Sequence, residues 1–539
     1  MNHTATASTI PTSPVAMNAT STDTDELVFA LSNDEPTAQS TPLPQLTQMA
    51  TNLVQAISCT TQPQQQQPQN PRDFRPGEIG FADRLADQFG DLLRFDASHQ
   101  AWMVWTDTHW EKDETGFAVE CMKNVATRMK EVEVPVMRAQ IQNYGDHFTL
   151  RAKELDADAK RLHGKNAICA ALALAQSLPQ LVTKHRDYDA DPLLLNCLSG
   201  TVDLRDGSLR SHNRDDLITN ITRIPLAETS EGCPRWKRFL LEIMQDDVEM
   251  VSYLQRMVGY ILTGSTQEQV FFLLHGTGAN GKSVFLNVLH RLLGDYGKVA
   301  DFTTFLDMNR GGAPRNDLAG FAGKRLVVAS ESAQGKQLDE TVMKQFTGGD
   351  VISARMLYKD FVEFKPVGKL LLATNHKPKV QGTDYGIWRR MRLIPFLASF
   401  KDEQRDPHLE QKLMEEMPAI LRWAVEGCIQ WREMGLGMPK AIEEAVREYQ
   451  SSMDTFQHFL DDICETGDNH KESSQRLYDA YKTWAQNSGM RFPMTQPVFN
   501  STLAQRGFTP KRTSRSNVWL GLQLCANKSE QVRGDLCFD

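Results

Sequence analysis

Hydrophobic positions divide the first half of this chain into helical and extended stretches. Residues 81–96, 167–182 and 234–264 repeat apolar side chains at the spacing of an amphipathic helix. Residues 101–114 are rich in tryptophan and predict a pair of strands, and "DLRDG" marks a turn between two further short strands. After about Phe400 the helical pattern returns and continues to the C-terminal region.

Three apolar runs have a different character, because they are short, uninterrupted and followed by polar residues. They cover residues 270–274, residues 326–329 just before Glu331, and residues 369–375, which end on Asn375. Continuous apolar strands are typical of parallel sheets covered by helices on both faces. The pattern predicts an α/β fold, with polar groups gathered where ligands bind, at the carboxyl ends of the strands.

The first of these strands leads into the sequence "GTGANGKS", a complete Walker A match followed by an apolar helix. In such a loop, backbone N–H groups hold phosphates, Lys282 reaches the β- and γ-phosphate oxygens, and the Ser283 hydroxyl binds Mg²⁺. We therefore predict ATP and Mg²⁺ as cofactors. The predicted nucleotide contacts are Gly276, Thr277, Gly278, Ala279, Asn280, Gly281, Lys282, Ser283 and Val284.

Hydrolysis also needs an acid that orients water. Glu331 lies just past the end of its strand and is the predicted general base, and with Ser283 it is a candidate metal ligand. Asn375 ends the next apolar strand, where its amide can bind the γ-phosphate or the attacking water. Two such strands after one P-loop indicate an AAA+-like ATPase core.

The motifs "GTGANGKS", "RLVVASES", "GGDVISARMLYKDFVEFKP", "KLLLATNHKP" and "GTDYGIWRRMRLIPF" occur in one order. In this order the chain resembles the superfamily 3 helicases, above all the helicase half of phage, plasmid and poxvirus primase–helicases. The resemblance implies a Walker B role for Glu331 and a sensor role for Asn375. Many members carry two adjacent acids at Walker B, whereas here Ser330 precedes Glu331.

The same resemblance implies a β-hairpin that grips single-stranded DNA in a central channel, with Lys359 at its tip and Arg355 nearby. The alternation in "SARMLYKDFVEF" independently predicts a strand, a turn and a strand. In ring ATPases an arginine of one subunit reaches the γ-phosphate of its neighbour. By position we favour Arg390 for that role, with Arg389 as the alternative and Arg392 also in the cluster.

The last compact unit has the pattern of a winged helix: two helices and then a hairpin with a basic turn. Between Ala480 and Ser529 there are seven Lys or Arg residues and no Asp or Glu, on a chain of net charge −9. Such a local excess suits a DNA-facing surface. Lys511, Arg512 and Arg515 are the predicted phosphate contacts, although docking to a protein remains an alternative use of this unit.

Composition adds several exclusions. The nine cysteines form no C-x-x-C pair, which argues against a zinc ribbon. Residues 1–71 contain no Lys or Arg and are rich in Ser, Thr, Pro and Gln, which predicts disorder. No apolar run is long enough for a transmembrane helix. The acidic clusters "ELDADAK" and "HRDYDADP" do not read as ends of apolar strands, so we expect no primase activity in this chain.

The predicted organisation has seven parts. They are a disordered tail (1–72), a helical accessory domain (73–225), an oligomerisation collar (226–262), the ATPase core (263–400), a helical connector (401–455), a winged-helix DNA-binding domain (456–527) and a polar tail (528–539). The prediction is a replicative DNA helicase of a phage, plasmid or mobile element, in the cytoplasm of a bacterial host. It would form a homo-oligomeric ring, expected to be a hexamer, with 3′→5′ polarity implied by the family.

The predicted partners are single-stranded and forked DNA, together with a separate primase or replication protein, and no membrane. Two alternatives stay open: an origin-binding switch whose ATP binding controls assembly without unwinding, and the helicase part of a primase–helicase.

Overall fold

The computed structural model describes residues 74–144, 147–307, 316–331, 335–355, 361–380, 385–488, 490, 493–513 and 517–525. At Glu331 and Arg355 only the backbone is described. The tails predicted for residues 1–72 and 528–539 lie outside these ranges.

The N-terminal region combines helices with a four-stranded sheet. Its elements are α1 (Gly77–Phe89), β1 (Leu93–Asp96), β2 (Ala101–Trp105), β3 (Trp110–Lys112), α2 (Phe117–Arg128), α3 (Val134–Tyr144), α4 (His147–Leu162), α5 (Lys165–Ala175) and β4 (Val182–Thr183). The strand order is β3-β2-β1-β4, and β4 runs parallel to β1. The predicted strand pair at residues 101–114 is confirmed, whereas the helix predicted over residues 81–96 ends at Phe89 and gives way to β1.

A second small sheet follows, with β5 (Leu194–Cys197), β6 (Gly200–Asp203) and β7 (Ser208–Arg210) in antiparallel order. The turn at "DLRDG" joins β6 to β7, as predicted. The accessory region is therefore mixed rather than helical. Helices α6 (Pro234–Ile243) and α7 (Val248–Leu262) then lead into the central sheet.

The central sheet has five parallel strands in the order β14-β8-β13-β10-β9. Its elements are β8 (Phe271–His275), α8 (Lys282–Leu293), β9 (Gly297–Asp301), β10 (Leu326–Glu331), α9 (Glu340–Gly348), β11 (Ile352–Arg355), β12 (Phe361–Phe364), β13 (Lys369–Thr374), α10 (Tyr385–Trp388) and β14 (Met391–Pro395). Strands β11 and β12 pair as a separate antiparallel hairpin. The predicted α/β class is confirmed.

Three helices and a compact unit complete the chain. The helices are α11 (Leu409–Glu415), α12 (Met417–Met434) and α13 (Lys440–Met453). The unit contains α14 (Thr455–Ile463), β15 (Cys464–Ser473), α15 (Ser474–Asn487), α16 (Gln496–Gln505), β16 (Thr509–Arg512) and β17 (Asn517–Leu524). Its sheet order is β15-β17-β16, so the predicted hairpin gains a third strand. None of the described helices is long and apolar enough to cross a membrane.

Two buried cations join the central sheet to segments that precede it in the chain. Arg325, just before β10, donates from Nη1 to the Leu262 carbonyl (2.6 Å) and from Nη2 to the Leu194 carbonyl (2.7 Å), and it stacks on the Tyr296 ring. Lys369, the first residue of β13, is fully buried and donates to the carbonyl of Thr263. Removing either partner of a buried charge is costly, so these contacts hold the sheet and its neighbours as one body.

Helices α7 and α12 approach each other through glycines. A Cβ atom on Gly259 would lie 2.0 Å from the Cys428 nitrogen, and one on Gly427 would lie 2.1 Å from the Gln255 carbonyl oxygen. Both neighbours are backbone atoms of the facing helix. No rotamer change relieves such a clash, and only a shift of one helix against the other would.

We therefore expect Gly259→Ala to destabilise the protein by about 1–3 kcal/mol, despite the better helix propensity of alanine. The measurement is a urea or thermal melt of the full chain. Gly320→Ala is the matched control, because a Cβ there meets no atom within 4 Å, and it should leave the melt unchanged. Equal melts for the two variants would contradict the close helix contact.

Candidate nucleotide site and nucleic-acid surfaces

The glycine-rich loop connects β8 to α8 at the carboxyl edge of the central sheet. Gly278 and Gly281 have φ angles of 103° and 83°, and Ala279 between them has 48°. Gly276 is needed for a different reason, since a Cβ there would lie 2.3 Å from the Phe396 carbonyl oxygen. The loop is further tied to the chain after β14 by a bond from the Phe400 N–H to the Ala279 carbonyl (2.9 Å).

This loop leaves backbone donors available. Within the described part of the chain, the N–H groups of residues 277–281 donate to no protein acceptor, and the first N–H groups of α8 have no partner within the helix. Successive backbone N–H groups in such a loop form a concave site for an anion. A Cβ on Gly278 would meet no atom within 4 Å, so there is room above the loop. These features fit a polyphosphate.

Lys282 begins α8, and its buried amino group faces this loop. Nζ donates to the Gly276 carbonyl (2.6 Å), to Asn280 Oδ1 (3.1 Å) and to Asn375 Oδ1 (3.2 Å). Burial lowers the pKa of Lys282 to about 8. At His275, burial and the nearby charges of Lys377 and Lys282 lower the pKa to about 4, so this imidazole is neutral beside the loop.

The predicted sensor and the predicted acid lie on neighbouring strands. Asn375 follows β13 directly, and β13 lies between β8 and β10. Glu331 is the last residue of β10, within the strand rather than just past it, and it pairs in register with Thr374. The backbone thus places Glu331 one strand further from the glycine-rich loop than Asn375. The structure brings the Lys282 and Asn375 side chains together.

The arginine cluster lies at the amino ends of the strands of the same sheet, opposite to the glycine-rich loop. Arg389 and Arg390 precede β14, and the Arg390 carbonyl accepts a bond from the N–H of Phe271, the first residue of β8. Arg389 is exposed and donates to Gln269. Arg390 is partly buried and donates from Nη1 to the Gly386 carbonyl (3.0 Å). The five residues of β8 separate them from the glycine-rich loop, roughly 16 Å at about 3.3 Å per residue.

The two predicted DNA-binding surfaces are described in part. Strands β11 and β12 form the expected hairpin, but its tip, residues 356–360 with Lys359, lies outside the described residues, and of Arg355 only the backbone is known. Lys511 and Arg512 are exposed on β16, while Arg515 lies outside the described residues. Arg506 belongs to the same basic stretch but binds Asp454 and Gln457 within the unit.

One group of potential ligands escaped the sequence analysis. Asp96, His99 and His185 bring a carboxylate and two imidazoles within 4.8 Å of one another. The segment "HRDYDADP" begins two residues after the end of the short strand β4. The helix predicted over residues 167–182 ends at Ala175 instead, and Val182 begins β4. A two-residue strand has too few apolar positions to show a period, and spacing in the sequence gave no other signal.

Three parts of this chain match known protein families. Residues 82–245 match the family described as "D5 N terminal like", residues 274–390 match a family of unknown function, and residues 451–526 match the family described as "Poxvirus D5 protein-like". The resemblance to the superfamily 3 primase–helicases is confirmed. Along the sequence, one D5-type match precedes the central sheet and the other follows it.

Proteins similar to this chain occur in several viruses. A protein of Acanthamoeba polyphaga mimivirus, provisionally named a helicase, is 30% identical over 56% of this chain and 33% of its own length. One of Invertebrate iridescent virus 3, also provisionally named a helicase, is 24% identical over 56% of this chain and 36% of its own. An African swine fever virus protein, provisionally named a primase, is 23% identical over 38% of this chain and 22% of its own.

Among solved structures, the C-terminal region of NrS-1 superposes with a TM-score of 0.48 at 11% identity, covering 83% of this chain and 99% of that one. The match to each of the first two viral relatives spans about a third of that relative's length. These relatives belong to viruses of eukaryotes and give no support to the bacterial host that we expected.

The lowered pKa of Lys282 predicts how anion binding at the loop depends on pH. A bound polyphosphate favours the charged ammonium, so the pKa is higher in the complex than in the free protein. Affinity for tripolyphosphate should be steady between pH 7 and about 8 and fall about tenfold per pH unit above that. Calorimetric titration checks this, with Lys282→Met as the weak-binding, pH-independent control. A flat profile for the wild type up to pH 9.5 would contradict the assignment.

Proposed function

We propose that this chain is an ATP-dependent DNA helicase of the superfamily 3 type, with an AAA+-like core that moves on single-stranded DNA. The observation that carries the proposal is the 3.2 Å bond between the Lys282 amino group and the Asn375 amide oxygen. It joins the glycine-rich loop to the strand that lies between β8 and the strand ending in Glu331. Phosphate binding, sensing and hydrolysis thus have residues on adjacent strand ends.

Each residue has a separate task in this scheme. Residues 276–284 hold the triphosphate through backbone N–H groups, and Lys282 exchanges a protein oxygen for a phosphate oxygen. Asn375, once released from the amine, is free to bind the γ-phosphate or the attacking water, and Glu331 accepts a proton from that water. The Thr374 hydroxyl supports the strand end, because it accepts from the His376 N–H (3.1 Å) and donates to the His376 carbonyl.

Mg²⁺ would be held by Ser283, the second residue of α8, with Glu331 as a further ligand. When bound, the ion neutralises charge on the β- and γ-phosphates. Ser283 is partly exposed at the amino end of α8, and this end of a helix favours the phosphate charge that the ion would accompany.

Arg389 and Arg390 would complete the site of a neighbouring subunit. They lie at the amino edge of the sheet, roughly 16 Å of strand away from their own glycine-rich loop. A side chain there serves a composite site only when a second copy presents its loop to that edge. Such a head-to-tail contact closes into a ring, and we propose a hexamer with 3′→5′ movement, as the family implies.

DNA would be gripped inside the ring by the β11–β12 hairpin, with Lys359 at its tip and Arg355 nearby, at the end of β11 that leads into the tip. The C-terminal unit would hold duplex or forked DNA through Lys511, Arg512 and Arg515, because Lys511 and Arg512 are exposed on the edge strand β16. A primase or other replication protein would work beside it, because the viral relatives include proteins provisionally named a helicase and a primase.

The first test is strand displacement on a forked duplex with ATP and Mg²⁺. We expect the wild type to unwind it and Lys282→Ala to lose both hydrolysis and unwinding. Lys359→Ala should keep most ATP hydrolysis and lose unwinding, because it removes the grip on DNA but no nucleotide contact. Lys298→Ala, an exposed lysine on the edge strand β9, is the matched control and should unwind normally.

The same assay gives the polarity of movement when the unwinding of a duplex with only a 3′ tail is compared with that of a duplex with only a 5′ tail. If wild-type protein binds DNA and hydrolyses ATP but separates no fork, the second candidate function applies: a DNA-bound assembly switch. The exposed basic strand β16 is the observation that favours it, because DNA binding there requires no channel hairpin.

The composite site is tested by mixing two inactive variants. Lys282→Ala and Arg390→Lys each spoil a different half of the site, so a 1:1 mixture should regain about a quarter of wild-type ATP hydrolysis through randomly formed intact interfaces. The double variant, mixed with itself, is the control and should stay inactive. A parallel mixture with Arg389→Lys identifies which arginine acts. No recovery in either mixture would rule out both arginines as residues of a neighbour's site.

A further inference from the structure

Strands β1 and β4 end side by side at one edge of the N-terminal sheet. They run parallel, and Asp96, the last residue of β1, is in register with Thr183, the last residue of β4. His99 follows three residues after Asp96, and His185 follows two residues after Thr183. Carboxyl ends of adjacent parallel strands converge at one edge, where the loops that follow bring side chains together.

The three side chains meet around one carboxylate oxygen. Asp96 Oδ2 lies 2.8 Å from His99 Nδ1 and 3.3 Å from His185 Nδ1. The two imidazole rings are perpendicular, with centroids 4.1 Å apart. Both rings therefore direct Nδ1 to the same point, although they come from segments more than eighty residues apart in the sequence.

The carboxylate is held in place by its own backbone. Asp96 Oδ1 accepts from the N–H groups of Ser98 (2.9 Å) and His99 (3.2 Å), and the Ser98 hydroxyl accepts from the His185 N–H (3.2 Å). Burial acts to raise the Asp96 pKa, but the hydrogen bonds from His99 and Ser98 outweigh it and lower the pKa. The hydrogen bonds from Ser98 and His99 thus fix the orientation of this carboxylate.

The surroundings leave access for an ion from solvent. The Asp96 side chain is only 5% exposed, whereas those of His99 and His185 are 44% and 56% exposed. The charged side chains next to His185 are turned elsewhere: Arg186 is mostly exposed and faces Asp187, whose carboxylate accepts from the Lys184 N–H. Two imidazoles and one carboxylate are a donor set that suits Zn²⁺ and related ions rather than Mg²⁺ or Ca²⁺.

We propose that Asp96, His99 and His185 form a binding site for a divalent transition-metal ion, for which Zn²⁺ is the best match, with the remaining coordination open to solvent. Within the described residues, no other group of three such side chains comes this close. The cysteines take no part, so the absence of C-x-x-C spacing does not bear on this site.

An ion at this place would brace the segment that follows β4. Two residues beyond Asp187, Asp189 accepts from the Thr219 N–H (3.0 Å) and from Asn220 Nδ2 (3.2 Å). Asn220 Oδ1 in turn accepts from Lys324 Nζ (3.1 Å), just before the central sheet strand β10. The ion would therefore stabilise one side of the contact between the accessory region and the sheet. This role is independent of ATP hydrolysis.

The test is a Zn²⁺ titration of chelator-treated full-length protein in the absence of nucleotide. Calorimetry measures the binding, and thermal melts with and without Zn²⁺ measure the stabilisation. We expect one equivalent of tight binding and a Zn²⁺-dependent rise in melting temperature. His185→Gln and His99→Gln should each weaken this binding by at least about 100-fold, because each removes a ligand. Both rings are about half exposed, and a glutamine can still donate to Asp96, so the metal-free variants should melt close to the metal-free wild type.

His408→Gln, which changes an exposed histidine elsewhere, is the matched control and should bind like the wild type. Co²⁺ gives an independent readout, since a nitrogen–oxygen site shows visible absorption without a thiolate charge-transfer band. The proposal is overturned if the wild type takes up no Zn²⁺, which leaves a hydrogen-bonded cluster only. It is equally overturned if the two variants retain wild-type affinity, or if bound Co²⁺ shows thiolate ligation.

Discussion

The proposed chemistry depends on one constraint, the parallel direction of all five strands in the central sheet. Because the strands run in the same direction, their carboxyl ends lie side by side. The glycine-rich loop, Asn375 and Glu331 therefore lie at the same end of the sheet, although they span about 100 residues of the sequence. The same constraint sends Arg389 and Arg390 to the other edge. In the proposed mechanism a single chain therefore carries both halves of a composite site, and cannot join them by itself.

The sheet is fixed to its surroundings by charges rather than by apolar packing alone. Arg325 and Lys369 are buried at the amino edge and donate to carbonyl groups from β5 and from the end of α7. Burial lowers the pKa of Lys369 well below its usual value. Such groups are costly to bury and more costly to leave unpaired, so β5 and the end of α7 contribute acceptors that the sheet requires.

Much of the central region could be predicted from the sequence, because a buried parallel strand is a continuous apolar run that few other structures produce. The hairpin β11–β12 was recognisable from alternation. By contrast, β15 has the sequence "CETGDNHKES", which shows no apolar period, and it forms only by pairing with β17 across an irregular register. Likewise the Asp96–His99–His185 cluster depends on the register of a two-residue strand. The ion pair between Arg506 and Asp454 could not be predicted from the sequence either, because only tertiary packing brings these two residues together.

The backbone contact between Gly259 in α7 and Cys428 in α12 has a consequence for how the protein is made. The two residues are 169 positions apart (428 − 259), and ribosomes add about 5–20 residues per second. The first helix therefore waits on the order of 10–30 s before its partner is synthesised. During that interval the apolar face of α7, with Tyr253, Leu254 and Met257, has no native cover from α12. Biosynthesis of this chain should therefore depend on chaperones that shield nascent apolar surfaces.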